Sequence, residues 1–214
     1  MKLCQDDIDR ALLAYILKGA APVLGNTKAQ KTCFWVELRL RAKHLVGPHF
    51  RFYRYKYGAY SEELRRAHEG LLLSGHLHKN NRLTDRGEIL VEFVEELRKP
   101  NRAAFNTIDR AISDCQSDHG EALKTKFYEL EIRPEDWTHT ATIRAIPEHT
   151  DLIRPKGREL LVPDPIRTLI ADELKLSDSD LKRAHETWPQ WGRKGIEAIE
   201  RLIADSPDAR EQSS

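Results

Sequence analysis

The chain has 214 residues and a mass of 24.7 kDa, the size of one large domain or of one domain with an appendage. No stretch approaches about 18 consecutive apolar residues, so no membrane-spanning helix is expected. Asp6, Asp7 and Asp9 stand where a signal peptide needs basic residues, so secretion by a signal peptide is not expected either. The net charge is only +1, but residues 28–82 carry twelve Lys or Arg against four Glu, a net of +8 that suits a polyanionic partner.

Apolar residues at helical spacing predict the first two helices. The first covers residues 6–18, where the aspartates of the first turn suit the positive end of the helix dipole, and Gly19 and Pro22 end it. The second runs from about residue 28 to residue 46, with Thr27 as its candidate cap. Its end is marked by the sequence "GPH".

An extended aromatic segment and a third helix follow. Residues 50–57 alternate aromatic with basic side chains, which favours a strand. The chain can turn at Gly58, and Ser61 ahead of two glutamates predicts the start of a helix that closes at Ser74-Gly75.

Residues 76–84 predict a hairpin of the size of a wing. Asn80-Asn81 tolerates the positive dihedral angles of a two-residue turn between two short strands. Thr84 is expected to cap a fourth helix that ends near Lys99-Pro100. The order helix, helix, helix, hairpin, helix predicts a mainly α fold with a winged helix-turn-helix and a helical C-terminal extension.

Two supporting helices, expected at about 102–115 and 119–131, complete a winged-helix domain over residues 1–132 and could form a dimer face. A homodimer fits a small DNA-binding protein, because two-fold operators mirror two-fold proteins. The rest of the chain divides into a linker or irregular connection at 133–163, a helical region at 164–206 and a disordered tail at 207–214.

The basic residues around the predicted hairpin form a candidate DNA-binding site. In a winged-helix protein bound to DNA, one helix enters the major groove while cationic side chains beside it bind the phosphates. The predicted contact residues are Arg51, Arg54, Lys56, Arg65, Arg66, Lys79 and Arg82. The alternative is that these side chains only solvate an exposed helix face.

Aromatic residues are candidates for binding a protein partner. The predicted set is Tyr57, Tyr60, Trp188 and Trp191. Exposed tryptophans are frequent hot spots of interfaces, but these two could equally pin a helix corner onto the core. The tyrosines of this segment could stack on bases, although buried rings with bonded hydroxyl groups are the favoured interpretation.

No catalytic residue, metal site or cofactor is predicted. His76 and His78 would share one face of a strand, but two ligands do not make a metal site, so both are interpreted as solvent-facing. The three cysteines are odd in number and far apart, which predicts neither a disulfide framework nor a zinc site and fits the cytoplasm. One carboxylate cluster suggests a weaker alternative, a magnesium-dependent nuclease: Glu129, Glu131, Glu135 and Asp136.

The stretch "FRFYRYKYGAYSEELRRAHEGLLLSGHL", followed by "RLTDRG", resembles the Panacea or SocA-like antitoxin domain and its YwgA-type relatives. Their members read roughly Tyr-Lys-Tyr-Gly-Pro-Tyr-Ser, which matches Tyr55 to Ser61 except for Ala59 in place of proline. The match covers about residues 5–132, and the motif at Lys56 to Ser61 carries most of its specificity. The upstream "KAQKTCFWVE" is similar to the Lys-Leu-x-Lys helix opening of that family. The resemblance implies an all-helical domain with a small hairpin and a role in neutralising toxins or in defence and mobile-element biology.

Three functional hypotheses follow. The leading one is a non-enzymatic, cytoplasmic winged-helix protein that binds double-stranded DNA, as a regulator in a toxin-antitoxin, phage-defence or mobile-element context. The second is an antitoxin-like or adaptor module whose basic face binds an acidic protein partner, such as a toxin or defence component. The third is the nuclease, and no membrane partner is expected in any of them.

Overall fold

The computed structural model describes residues 5–21, 25–116 and 120–175 of the chain. Within these ranges it contains seven α-helices, five short strands and one 3-10 helix at Ile143–Ala145. The mainly helical class is confirmed, together with a small antiparallel sheet. The elements are α1 (Gln5–Gly19), α2 (Gly25–Arg41), β1 (Phe52–Tyr55), β2 (Gly58–Tyr60), α3 (Glu62–Leu73), α4 (Asp85–Glu96), α5 (Arg102–Gln116), α6 (Gly120–Tyr128), β3 (Glu131–Ile132), β4 (Ala141–Thr142), β5 (Asp151–Ile153) and α7 (Asp164–Leu174).

Helix α1 lies at the centre of the core. Nine of its residues are buried, and Leu12, Leu13 and Ile16 are fully enclosed. A helix that is apolar on most sides can be stable only when other elements surround it. Helices α2, α3, α4, α5 and α7 all pack against α1.

The predicted starts of α3 and α4 are confirmed. The Ser61 hydroxyl accepts a hydrogen bond from the backbone N–H of Leu64, and the Thr84 hydroxyl accepts one from Gly87, each at 3.2 Å. Both capping residues have extended backbone, as N-caps require. Thr27 was predicted to cap α2 but lies inside it, because α2 begins at Gly25.

A three-stranded antiparallel sheet with the order β2-β1-β5 covers part of the helical core. Tyr53 pairs with Tyr60 across β1 and β2, and Phe52 pairs with Ile153 across β1 and β5. The Phe52 ring faces the core and packs edge-on against Phe34, with ring centroids 5.3 Å apart. Successive strand residues point to opposite faces, so Tyr53 lies on the other side of the sheet.

The range 133–163 was expected to be a linker or an irregular connection, and it is an irregular segment that packs on the core. It supplies β4, the 3-10 helix and β5, and strand β5 pairs with β1. Ile143 and Leu152 are completely buried in the core. The apolar residues of this range occur in short runs without helical or strand periodicity, yet four of them are buried in the core: Ile143, Ile146, Leu152 and Ile153.

Residues 76–84 form a tight turn in place of the two predicted strands. The only ladder contact of this segment is one antiparallel bridge between Leu77 and Leu83. Of the positive dihedrals expected at Asn80-Asn81, only that of Asn81 is present, with a φ of 62°. The Asn81 side chain turns inward, where its Oδ1 lies 2.7 Å from Nε2 of the buried His68, and this contact links the turn to α3.

Helix α7 closes the described part of the chain. It packs against α4 and α1, and its buried residues are Ile170, Ala171 and Leu174. The predicted helical region is therefore confirmed as far as residue 174, while Trp188, Trp191 and the predicted tail lie outside the described residues. None of the helices described is both long and apolar enough to cross a bilayer.

Candidate functional site

Arg54, one of the seven predicted DNA contacts, is a buried residue. Its Nε donates to the carbonyl oxygen of Ile143 at 2.9 Å, and its guanidinium lies 5.4 Å from the centre of the Tyr128 ring. Its Nη1 is enclosed and has no hydrogen-bond partner. The interpretation of Arg54 as a surface cation is therefore corrected, since a phosphate cannot reach it in this arrangement.

Three further arginines of the predicted site are paired with carboxylates. Arg51 donates two hydrogen bonds to Asp151, at 2.8 and 2.6 Å. On α3, Arg65 is bound by Glu62 and Glu69, and Arg66 lies 3.7 Å from Glu62. Helix α3 carries three glutamates against two arginines, so its exposed side is not the basic surface that DNA recognition needs.

Lys56, Lys79 and Arg82 remain exposed. They belong to two different turns, since Lys56 lies between β1 and β2 whereas the other two lie in the 76–84 turn.

Four aromatic rings lie together on the solvent side of the sheet, and we call this cluster the tyrosine face: Tyr53, Tyr55, Tyr60 and His149. The ring centroids of the three tyrosines are 5.5 to 6.2 Å apart. The His149 ring stacks on Tyr53 at 6.2 Å and lies 6.0 Å from Tyr55. These separations are those of favourable edge-to-face and offset ring pairs, so the rings hold one another in place.

The tyrosine face follows from the strand alternation of β1. Phe52 and Arg54 point inward, whereas Tyr53 and Tyr55 point outward, and Tyr60 joins them from the neighbouring strand. The rings were expected to be buried, but Tyr55 is 38% exposed and Tyr53 and Tyr60 are half-buried. The period of two in the sequence could have identified the outward pair, whereas nothing in the sequence placed His149 beside it.

Tyr57 lies at the tip of the β1–β2 turn, two residues after Tyr55, and is 65% exposed. The turn is held from behind by α2, because Nζ of the buried Lys31 donates to the carbonyl oxygens of Tyr57 at 2.6 Å and of Ala59 at 3.2 Å. Burial, with the charges of Arg54 and Lys124, lowers the pKa of Lys31 to about 8. Lys31 was not among the site residues predicted from the sequence.

The far end of β2 is also tied to α2. The Gln30 side chain donates to the Ser61 carbonyl and accepts from the Ser61 N–H, both at 2.9 Å. The Tyr60 hydroxyl donates to Glu62 at 3.2 Å. Burial and the charge of Glu62 raise the pKa of Tyr60 to about 12, so this hydroxyl stays a donor at neutral pH.

The two histidines of the predicted wing differ from each other. His78 is exposed, as expected, but the prediction for His76 is wrong because its side chain is completely buried. Its Nδ1 lies 2.7 Å from the Ser74 hydroxyl and its Nε2 lies 3.2 Å from Glu173 of α7. His76 therefore links the turn after α3 to α7.

The carboxylates of the nuclease hypothesis are spread over separate contacts. Glu129 pairs with Arg144 at 3.1 Å, Glu135 pairs with Arg41, and Asp136 lies 3.8 Å from Arg154. Glu131 is exposed on β3. In the ranges that the structure describes, no three His, Cys, Asp or Glu side chains are grouped so that they could hold a metal ion.

Comparison with protein-family models, with curated proteins and with solved structures finds no match to this chain. The function is therefore inferred from the geometry of the site.

Proposed function

We propose that the protein is a protein-interaction module of the antitoxin or adaptor kind, and that its docking surface is the tyrosine face together with Tyr57. The observation that carries the proposal is the cluster of four rings on the solvent side of the sheet, with Tyr57 exposed in the turn that joins its two tyrosine-bearing strands. Tyrosine rings provide a large amphipathic contact area at a low cost in conformational entropy. They are also enriched among the residues that dominate binding energy.

The support behind this surface favours recognition. Lys31 and Gln30 fix both ends of β2 from α2, so the rings and the tip are held in one arrangement before a partner arrives. A preorganised surface loses less conformational freedom on binding, and more of the contact energy contributes to affinity.

The charge near the tip favours an acidic partner. Lys56 is exposed beside Tyr57, and Nζ of Lys124 lies 5.8 Å from the Tyr57 ring. Cations at the rim of an interface speed association with a partner of opposite charge. By its resemblance to antitoxin domains, the partner we propose is a toxin or a defence component.

The test measures complex formation with the product of the neighbouring gene, co-expressed and purified. The Tyr55→Ala, Tyr57→Ala double variant should weaken binding by about 30-fold or more, which corresponds to about 2 kcal/mol for hot-spot residues. Leu161→Ala is the matched control, because Leu161 is 66% exposed, as Tyr57 is 65% exposed, and lies outside this surface. A complex that tolerates the double variant, or no complex at all, would contradict the proposal.

DNA binding by a winged helix is the second candidate, favoured by the exposed Lys79 and Arg82 in the turn that follows α3. Fluorescence anisotropy with duplex DNA at two salt concentrations tests it, because contacts to phosphates release counterions and make the affinity depend on salt. The Lys79→Glu, Arg82→Glu double variant should then lose binding. An affinity that is absent at low salt or indifferent to salt would exclude this candidate.

A further inference from the structure

A cleft of 330 Å³ lies away from the sheet, between the start of α1, the residues before β1 and the segment 158–162, with α7 at its edge. His49 and Glu159 line it, together with Ile8 and Arg167. We call residues 158–162 the strap, because this segment runs along the cleft and leads into α7.

The His49 imidazole connects the strap to α1. Its Nδ1 lies 3.1 Å from Oδ1 of Asp9, which is a buried residue of α1, and its Nε2 lies 2.8 Å from Oε2 of Glu159 in the strap. Ionised carboxylates only accept hydrogen bonds, and a neutral imidazole has a single N–H. Both contacts can therefore be hydrogen bonds only when the ring carries two protons.

The charged groups around His49 come from four elements. Asp9 lies on α1, Glu159 on the strap and Arg167 on α7. Glu37 of α2 is fully buried with one oxygen unpartnered, and burial together with the charges of Asp9 and Glu159 raises its pKa well above the ordinary value. The hydrogen bond that the ring donates to Asp9, and the charges of Asp9 and Glu159, raise the pKa of His49 against the opposing effect of burial.

We propose that His49 is a proton-operated clasp, which ties Glu159 of the strap to Asp9 of α1 when the ring is doubly protonated and releases Glu159 when it is neutral. The contact that breaks is the one to Glu159, because its side chain is 63% exposed and water can replace the ring, whereas Asp9 is buried.

The opening is confined to the middle of the strap. The Arg158 N–H donates to the His44 carbonyl at 2.8 Å, and Leu161 exchanges two 2.8 Å hydrogen bonds with the Asn101 side chain. Neither contact involves His49. Loss of the clasp therefore frees the Glu159 side chain at the mouth of the cleft and loosens the backbone at Glu159 and Leu160, while the Leu160 side chain stays against the core and both ends of the strap stay in place.

The direction of the pH response follows from the raised pKa of His49. A histidine whose pKa is higher in the folded chain contributes its full stabilisation below the unfolded pKa and loses it as the pH rises through the folded pKa. The clasp is closed at mildly acidic pH and opens towards alkaline pH.

The test is an NMR titration of the full chain, with the ring nitrogens of His49 and the backbone of the strap observed together. The pKa of His49 should lie above the ordinary value of about 6.5, and the backbone order parameters of Glu159 and Leu160 should fall from about 0.85 towards 0.6 as the ring loses its proton. The order parameter of Leu161 should stay constant, since its partner is Asn101.

Glu159→Gln separates the proton-operated role from a merely structural one. The amide of the new side chain can donate to a neutral Nε2, so the strap should stay ordered at both extremes of pH while the pKa of His49 falls. Glu37→Gln controls for titration of Glu37 and should leave the wild-type response unchanged. The proposal is overturned if His49 titrates at or below its ordinary pKa, if Glu159 and Leu160 do not respond to pH, or if Glu37→Gln abolishes the response.

Discussion

One methyl group added at Gly58, at the tip of the β1–β2 turn, should destabilise the support of the tyrosine face. The φ of Gly58 is 97°, which a residue with a side chain rarely adopts. A Cβ at this position would lie 2.7 Å from Nζ of Lys31. Nζ cannot simply move aside, because the carbonyl oxygens of Tyr57 and Ala59 hold it in place.

The two costs of Gly58→Ala can be estimated separately. Left-handed backbone costs an alanine about 1–2 kcal/mol. Displacing Lys31 loses at least one hydrogen bond of a charged group, which contributes about 1.5–3 kcal/mol. We therefore expect the free energy of unfolding to fall by about 3 kcal/mol, within the range of large single-residue effects.

The clash is measured by urea unfolding of wild type, Gly58→Ala, Lys31→Met and the double variant, which together form a double-mutant cycle. Methionine lacks the terminal nitrogen of lysine, so in the Lys31→Met background Gly58→Ala should cost only the free energy of left-handed backbone. The effects of the two substitutions on the free energy of unfolding should therefore be non-additive by about 1.5 kcal/mol or more. Gly75→Ala is the control for left-handed backbone, since Gly75 has a φ of 73°. If Gly58→Ala is as stable as wild type, or if the cycle is additive, Lys31 does not hold the turn.

Three further predictions use the same unfolding assay. Folding lowers the pKa of Lys31 from 10.5 to about 8. The unfolded chain therefore binds more protons between these two pH values, and the free energy of unfolding of wild type should rise by roughly 3 kcal/mol relative to Lys31→Met as the pH increases across that range. A difference in stability that does not change with pH would contradict this prediction. Glu37→Gln should be more stable than wild type at about pH 8 but equal to it at about pH 4. The reason is that the raised pKa of Glu37 destabilises the folded chain only at pH values where the Glu37 carboxyl of the unfolded chain is ionised. Equal stability at both pH values would show that this carboxyl has a partner. Asn81→Ala should cost about 2 kcal/mol, from left-handed backbone and from the lost contact to buried His68, and a loss below about 0.5 kcal/mol would mean that the turn is fixed elsewhere.

The features that the sequence predicted well are local ones. Ser61 and Thr84 cap their helices as expected, because a cap needs only its own hydroxyl and an N–H three residues later. The left-handed turn at Asn81 belongs to the same class, since it depends on the short amide side chain. Alternation along residues 50–57 likewise predicted a strand, confirmed as Phe52–Tyr55.

The features that were missed depend on residues far apart in the chain. Strand β5 forms only because β1 is available about a hundred positions earlier, and a strand of three residues carries too little pattern to be detected. The position of His149 on the tyrosine face follows from this pairing. Arg54 lies two residues after Phe52 and so points to the same, inward side of β1, but its charge suggested a surface residue. The Ile143 carbonyl that accepts its hydrogen bond comes from the segment interpreted as a linker or irregular connection.

The charge excess of residues 28–82 illustrates the same limit for function. Arg39, Arg41 and Arg51 each pair with a carboxylate from beyond residue 100, and these partners are Asp114, Glu135 and Asp151. The acidic remainder of the chain thus folds back onto the basic segment and neutralises part of it in space. The net charge of a sequence segment predicts the surface potential of that segment only when no oppositely charged residues from the rest of the chain pack against it. In this protein, acidic residues from beyond residue 100 do pack against the basic segment. The ring cluster is affected much less, because aromatic side chains keep their exposed area whatever charges lie around them, and for this reason the tyrosine face is the better basis for a functional proposal.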